Sequence, residues 1–219
     1  MGEPPLKTAV FLSSALAALP LSAQAWDLRL EAPFPRGQNL PQTLVQGSGQ
    51  LLSGSLGTGN GVIATVSHRI IRVGPVLKFE WNAELSHLQA SGQVQQGSGS
   101  SGSQLRQEGV GLGANAQFWV PFTGFAGELG LLERFQTYRF SAAGAAEDKN
   151  INRPWLRAGL RWLPMGGSGA YLAASYQEPV TRDRPVQLSS VQDLGQYLAA
   201  QGAGQEFQRL WTVGVGISF

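Results

Sequence analysis

The sequence predicts an all-β fold, an eight-stranded, antiparallel, up-and-down transmembrane β-barrel behind a cleaved N-terminal signal peptide. Three observations predict it. Apolar and polar residues alternate with period two over most of the chain after residue 25. Short and long connections between the alternating segments take turns, as when one end of a barrel carries tight turns and the other long loops. The chain finishes on RLWTVGVGISF, where Trp211, Val213, Val215, Ile217 and Phe219 share one parity. An apolar terminal strand is an aggregation hazard in water. The hazard disappears when the last strand closes against the first.

Composition narrows the classes. The chain has 219 residues, enough for one sizeable domain, of which 14% are charged and 29 are glycine without a collagen period. There is no cysteine, which excludes disulfides, thiolate chemistry and cysteine-ligated metals. Net charge is +2 and the basic residues form no stripe, so nucleic acid is not an implied partner.

Residues 1–25 read as a signal peptide. Lys7 begins it, an apolar run follows over 8–21, Pro20 breaks it, and Ala23-Gln24-Ala25 offers a small-x-small cleavage site before Trp26. The run is shorter than the roughly 20 apolar residues of a spanning helix. The barrel domain is then 26–219. Short connections fall at 74–75, 121–124 and 164–169, and long loops at about 33–60, 92–104, 142–151 and 179–205. Strands between them cover about 26–32, 61–73, 76–91, 105–120, 125–141, 152–163, 170–178 and 206–219. An even count places both termini on the short-turn, periplasmic side.

The faces agree with this reading. Leu77, Phe79, Trp81, Ala83 and Leu85 oppose Lys78, Glu80, Asn82, Glu84 and Ser86. Val110, Leu112, Ala114, Ala116 and Phe118 oppose Gly109, Gly111, Gly113, Asn115 and Gln117. A polar face rich in glycine suits a narrow lumen. Aromatic residues gather toward strand ends. Trp119, Phe122, Phe125, Trp162 and Phe219 lie on the short-turn side, and Tyr138, Phe140, Trp155, Tyr176 and Phe207 toward the loops, as two interfacial girdles. Residues 42–56 are open to reading as a helix, a plug or an irregular first strand, since Pro33, Pro35 and Pro41 argue against regular pairing around them. Residues 189–201 carry Asp193, Leu194, Tyr197 and Leu198 at helical spacing and predict a short amphipathic helix at the rim.

With its small-residue cleavage site, eight alternating segments and C-terminal Phe219, the chain resembles the small outer-membrane barrels of the OmpX/OmpW/OmpA-domain type. The resemblance covers 26–219 at the level of architecture. It implies location in a bacterial outer membrane, contact with outer-membrane lipids and lipopolysaccharide, and passage through the barrel-assembly machinery. The assembly signal would be Trp211, Val213, Val215, Ile217 and Phe219.

Chemistry is sparser. The charges expected inside are Asp27, Arg29, Glu31, Arg69, Lys78, Glu80, Glu84, Glu128, Arg134, Arg157 and Arg161. Eight strands leave room for little besides side chains. Charges buried there must pair, which yields a salt-bridge network filling the lumen; a gated pathway or solute site is the alternative. Glu133 and Arg139 share the parity of Leu129 and Phe135, and a bulge would return one of them to the lumen. His68 and His87 follow Ser67 and Ser86, but neighbours on a strand point to opposite faces and cannot be base and nucleophile for each other. No catalytic residue, metal site or cofactor is therefore assigned. Thr181-Arg182-Asp183-Arg184 could meet lipopolysaccharide phosphates or balance its own charge. The expected function is a structural or interaction barrel presenting long loops to a protein partner. A narrow porin-like channel or small-solute carrier is the alternative, and a lipid-modifying hydrolase a third reading.

Overall fold

A computed structural model of the chain describes residues 26–164, 169–181, 189–202 and 209–219. The proposed signal peptide, Arg182 to Arg184 and Phe207 lie outside the described residues. Eleven strands and one helix run in the order β1 (Trp26–Pro35), β2 (Gln38–Val45), β3 (Leu51–Leu56), β4 (Asn60–Val73), β5 (Leu77–Gln96), β6 (Gly99–Trp119), β7 (Phe125–Ala142), β8 (Ala145–Trp162), β9 (Ala170–Pro179), β10 (Ser190–Val191), α1 (Leu194–Gly202) and β11 (Leu210–Ser218) among the described residues.

Antiparallel pairing links β5, β4, β1, β11, β9, β8, β7 and β6 in turn, and β6 pairs back onto β5 from Leu77↔Phe118 to Gln96↔Gly99. The ladder therefore closes on itself. Its seam joins the first described strand to the last, with Asp27↔Ser218 through Pro35↔Leu210 in register. Trp26 and Phe219 exchange two backbone hydrogen bonds of 3.0 Å there, so the apolar end of the chain has no free edge along β1.

The long connections are not loops throughout. Strands β5 and β6 run on past the expected ends at 91 and 105 to a turn at Gly97, and β7 and β8 meet at Ala143-Gly144. Both turn residues take positive φ (48° and 82°), the left-handed pair whose twist matches an antiparallel hairpin. The expected loops at 92–104 and 142–151 are thus strand. Within 33–60 the chain forms β2 and β3. Strand β4 accompanies β5 as far as Asn60↔Gln89, and β3 takes over from Leu56↔Gly92 to Leu52↔Gln96. Strand β10 lies parallel to β2.

Proline is tolerated in β1 for a geometric reason. The N–H and C=O of one residue point to the same side of a strand, and successive residues alternate. Pro35 accepts from Gly59 N–H at 3.1 Å, so Pro33 and Pro35 turn their nitrogens toward the β4 side, where the β1–β4 ladder has ended at Glu31. Pro154 does the same in β8, accepting from Val180 at 2.8 Å just beyond the last β8–β9 pair, Trp155↔Pro179. Pro41 sits where the β2–β3 register shifts, between Leu40 and Thr43.

Candidate functional site

Alternation along the strands reverses half-way up. On β5, Leu77 to Leu85 put apolar side chains outward and Glu80, Asn82, Glu84 and Ser86 inward. Above His87 the outward residues become Gln89, Ser91, Gln93 and Gln95, and the inward ones Leu88, Ala90 and Val94. The same switch occurs on β6, where Val110, Leu112 and Phe118 face out below and Leu105 faces in above. On β7, Leu129, Leu131 and Phe135 face out below, while Tyr138 and Phe140 face in above. The lower half has a charged interior and an apolar exterior, and the upper half the opposite. An apolar belt of about ten residues per strand matches a hydrocarbon layer crossed by tilted strands. A closed antiparallel ladder inside that belt leaves no unpaired backbone for lipid. The chain is an outer-membrane β-barrel.

The lower interior is a network of paired charges. Asp27, Glu31, Glu80, Glu84 and Glu128 face Arg29, Arg134, Arg157 and Arg161, and none of these nine is more than 2% exposed. Arg29 grips Glu128 with two hydrogen bonds, 2.9 and 3.1 Å, and Arg161 donates to the same carboxylate at 2.7 Å and to Asp27 at 2.8 Å. Arg157 binds Glu31, and Arg134 reaches Glu84 at 2.6 Å. Lys78, closer to the mouth, pairs with Glu80 and brings the cations level with the five carboxylates.

Neutral groups add hydrogen bonds to the network. Asn115 donates to Glu128 at 3.1 Å, Thr212 to Glu31 at 2.6 Å, and Ser218 to Asp27 at 2.8 Å. Gln117 donates to Glu80 and Tyr171 to Asp27. The Tyr171 ring lies under the Arg161 guanidinium at 4.8 Å and over Gly216, where a Cβ would collide with it. A glycine-rich inner face is thus the space into which long charged side chains fold. Such pairs offset their desolvation only when nearly every charge is matched, and cross-lumen pairs between β1, β5, β7 and β8 do this while filling the bore.

The upper interior is an apolar core. Leu88, Leu105, Tyr138, Phe140 and Trp155 from the wall meet Leu40, Leu52 and Leu56 from β2 and β3, Val191 from β10, and Tyr197 and Leu198 from α1. The helix starts later than the expected 189–201 region and ends one residue beyond it, at Gly202. Asp193 caps it, accepting from Gln196 N–H at 2.8 Å. The Tyr197 hydroxyl donates to the Pro41 carbonyl at 3.1 Å, and burial pushes its phenol up to about 12. Burying each large apolar side chain contributes about 1.5–3 kcal/mol, so β2, β3 and α1 are a packed cap.

Several expected placements change. Tyr138, Phe140 and Trp155 do not form an upper girdle; they face inward, because above His87 the interior is the apolar side. Arg134 stacks over the Trp155 ring at 4.5 Å, at the junction of the two halves. Strand β7 has no bulge; Glu133 stays on the outer face beside Leu112 and Pro154, and Arg139 stays exposed next to Asp148 at 3.8 Å. Arg69 is half-buried opposite Glu80, next to a register shift between Arg69 and Ile71. His68 packs on the outside against Trp26 and Trp81, with ring centroids at 4.5 and 6.1 Å, while Ser67 points inward. His87 Nδ1 lies 3.3 Å from Glu108. Trp211, Val213, Val215, Ile217 and Phe219 are all exposed on the outer face. Sequence reasoning missed Asn115, Gln117, Tyr171, Thr212 and Ser218 as network members, and with them Ser175, whose hydroxyl donates to Glu31 at 3.2 Å. Their inward parity marked them, but their uncharged side chains did not.

No family model and no curated protein matches the chain. Solved structures of similar shape include Ail, the attachment invasion locus protein of Yersinia pestis, in complex with the heparin analogue sucrose octasulfate. It is 11% identical, with 90% of this chain and 99% of that chain covered and a TM-score of 0.49. The outer membrane protease OmpT from Escherichia coli is 7% identical, with 92% and 99% covered and a TM-score of 0.45. The translocator domain of autotransporter NalP from Neisseria meningitidis is 12% identical, with 97% and 95% covered and a TM-score of 0.40.

Proposed function

We propose that this chain is an eight-stranded transmembrane barrel, exported with a signal peptide removed before Trp26, that holds its capped half outside the cell as an interaction surface and passes nothing through its bore. The reversal of alternation at His87 carries this reading. A conducting barrel needs a wet lumen from end to end, whereas here paired charges fill the lower bore and an apolar core fills the upper one. The protruding parts of β5 to β8, together with β2, β3, β10 and α1, then form a folded head in contact with protein partners. Outer-leaflet lipid and lipopolysaccharide surround the belt. The exposed Trp211, Val213, Val215, Ile217 and Phe219 serve the barrel-assembly machinery. The chemistry is structural; His68 and His87 lie on the outer face, away from the buried Ser67.

Two measurements test it. Purified barrel in planar bilayers should stay silent over a range of voltages, and steady conductance steps would overturn the sealed bore. Because the chain has no cysteine, Ser55→Cys supplies a single thiol on the cap. A membrane-impermeant maleimide should label it on intact cells, and labelling only after lysis would overturn the orientation.

A further inference from the structure

The outer face above the belt holds an arrangement that the barrel does not need. Arg106 on β6 and Arg139 on β7 are direct cross-strand partners, both exposed on the outer face. Like charges directly opposite each other destabilise a sheet. The acids nearby answer them incompletely. Asp148 approaches Arg139 only through Nε, at 3.8 Å, with both side chains 60% exposed. Glu108, next below Arg106 on the same face, is engaged by His87 at 3.3 Å. Each arginine sits two outward positions beyond the last outward-facing apolar residue of its strand, Val110 or Phe135. At about 3.3 Å per residue along a tilted strand, that is roughly 10 Å above the hydrocarbon edge, the depth of lipid headgroups.

A second observation coincides with the first. An open groove of about 440 Å³ rises from Arg139 toward the β7–β8 turn, walled by Gly102, Gln104, Ser141, Gly144 and Ala146. Small residues leave its floor accessible. Gln104 and Ser141, themselves direct cross-strand partners, offer an amide and a hydroxyl immediately above the arginine pair.

The geometry points to a binding site for the phosphorylated sugar headgroup of an outer-leaflet glycolipid. The two guanidinium forks hold the phosphate, and Gln104 and Ser141 take sugar hydroxyls in the groove above. Guanidinium matches phosphate in bidentate geometry, and a bound anion removes the repulsion between the arginines. The acyl chains continue down the apolar face over Val110, Leu112 and Phe135. This site rests on the outer-membrane orientation proposed above.

The test uses full-length mature barrel inserted in phosphatidylcholine vesicles. The vesicles contain diphosphoryl lipid A, the same lipid A with its phosphates removed, or no glycolipid with free inorganic phosphate. The readout is the temperature at which the fast-migrating folded form is lost on gels. Diphosphoryl lipid A should raise that temperature for the wild type, with little change from the other two additions. Arg106→Gln/Arg139→Gln should insert normally and lose the rise, while Arg36→Gln, an exposed charge removed elsewhere on the same end, should keep it. An equal rise with dephosphorylated lipid A, with inorganic phosphate, or in the double variant would overturn the site. Insertion without any lipid A effect would overturn the site alone. Failure of the wild type to insert would overturn the membrane reading as well.

Discussion

Arg29 on β1 reaches across the bore to Glu128 on β7 through two hydrogen bonds of 2.9 and 3.1 Å. Glu128 also receives Arg161 at 2.7 Å and Asn115 at 3.1 Å, so one carboxylate ties together β1, β6, β7 and β8. Removing its charge leaves Arg161 to Asp27 and Arg29 to Glu31, which Arg157 already binds, so the buried network carries one uncompensated positive charge. Glu128→Gln should therefore lower stability by about 3–5 kcal/mol, read from the urea midpoint of the folded, fast-migrating form. Adding Arg29→Met to it should recover part of the loss, because the two sites share one network. An unchanged midpoint in Glu128→Gln would show that the network does not hold the barrel together.

The belt makes a depth-dependent prediction. Val215→Arg places a charge among lipid-facing residues of β11 and should cost about 2–4 kcal/mol near the midplane. Gln95→Arg lies on the outer face of β5 above the reversal, where surface substitutions stay within about 0.5 kcal/mol. Equal losses in the same urea assay would mean the apolar belt is not where lipid sits.

The strands that cross the belt were legible because alternation with a charged inner face has no other economical reading at this length. The inward side of Asp27, Arg29, Glu31, Glu80, Glu84, Glu128, Arg134, Arg157 and Arg161 followed from parity alone. The upper halves of β5 to β8 were hidden by the same rule. At Ser86, His87 and Leu88 the alternation continues while its sense inverts, which reads from sequence as the end of a strand. The Gly-Ser run at 97–103 reads the same way, since those residues suit a linker as well as the head of a polar hairpin. Tyr138, Phe140 and Trp155 read as a girdle for this reason: a girdle and an apolar cap core both put aromatics near strand ends. Composition alone does not decide whether β1 tolerates its prolines; what matters is which side each nitrogen faces and where the neighbouring ladder stops.

If the two halves are separate packing units, damage to the cap should spare the barrel. Leu198→Asp buries an unpaired charge in the upper core, at a site with no measurable exposure. Protease added to intact cells should then cut the cap within β2, β3 or α1, while the lower barrel keeps its heat-sensitive migration. Loss of both together would show that the halves fold as one unit.

Phe219 contributes to closure through its backbone as well as its ring. Its N–H and C=O pair with Trp26 at 3.0 Å, at the last rung of the seam between first and last strands. Deleting Phe219 frays that rung and removes the terminal aromatic of the proposed assembly signal. The amount of folded barrel recovered in outer membranes should fall several-fold without a matching fall in synthesis. Wild-type recovery would remove Phe219 from both roles.

The cap should also respond to alkali through Tyr197. Its phenol, held near 12 by burial in the folded cap, titrates near 10 once the cap opens. Below about pH 10 both states keep the proton and the buried hydroxyl contributes in full. Between about 10 and 12 the open state ionises first, so the cap loses stability as pH rises, and the contribution is gone above the folded value. Near-UV circular dichroism of the buried aromatics should therefore report cap opening at high pH in the wild type. Tyr197→Phe cannot ionise, although it gives up the bond to Pro41, worth about 0.5–1.5 kcal/mol. It should begin slightly less stable at neutral pH and lose less between pH 10 and 12. The same alkaline loss in both proteins would assign the response to another group and leave the Tyr197 hydroxyl with a hydrogen-bonding role only.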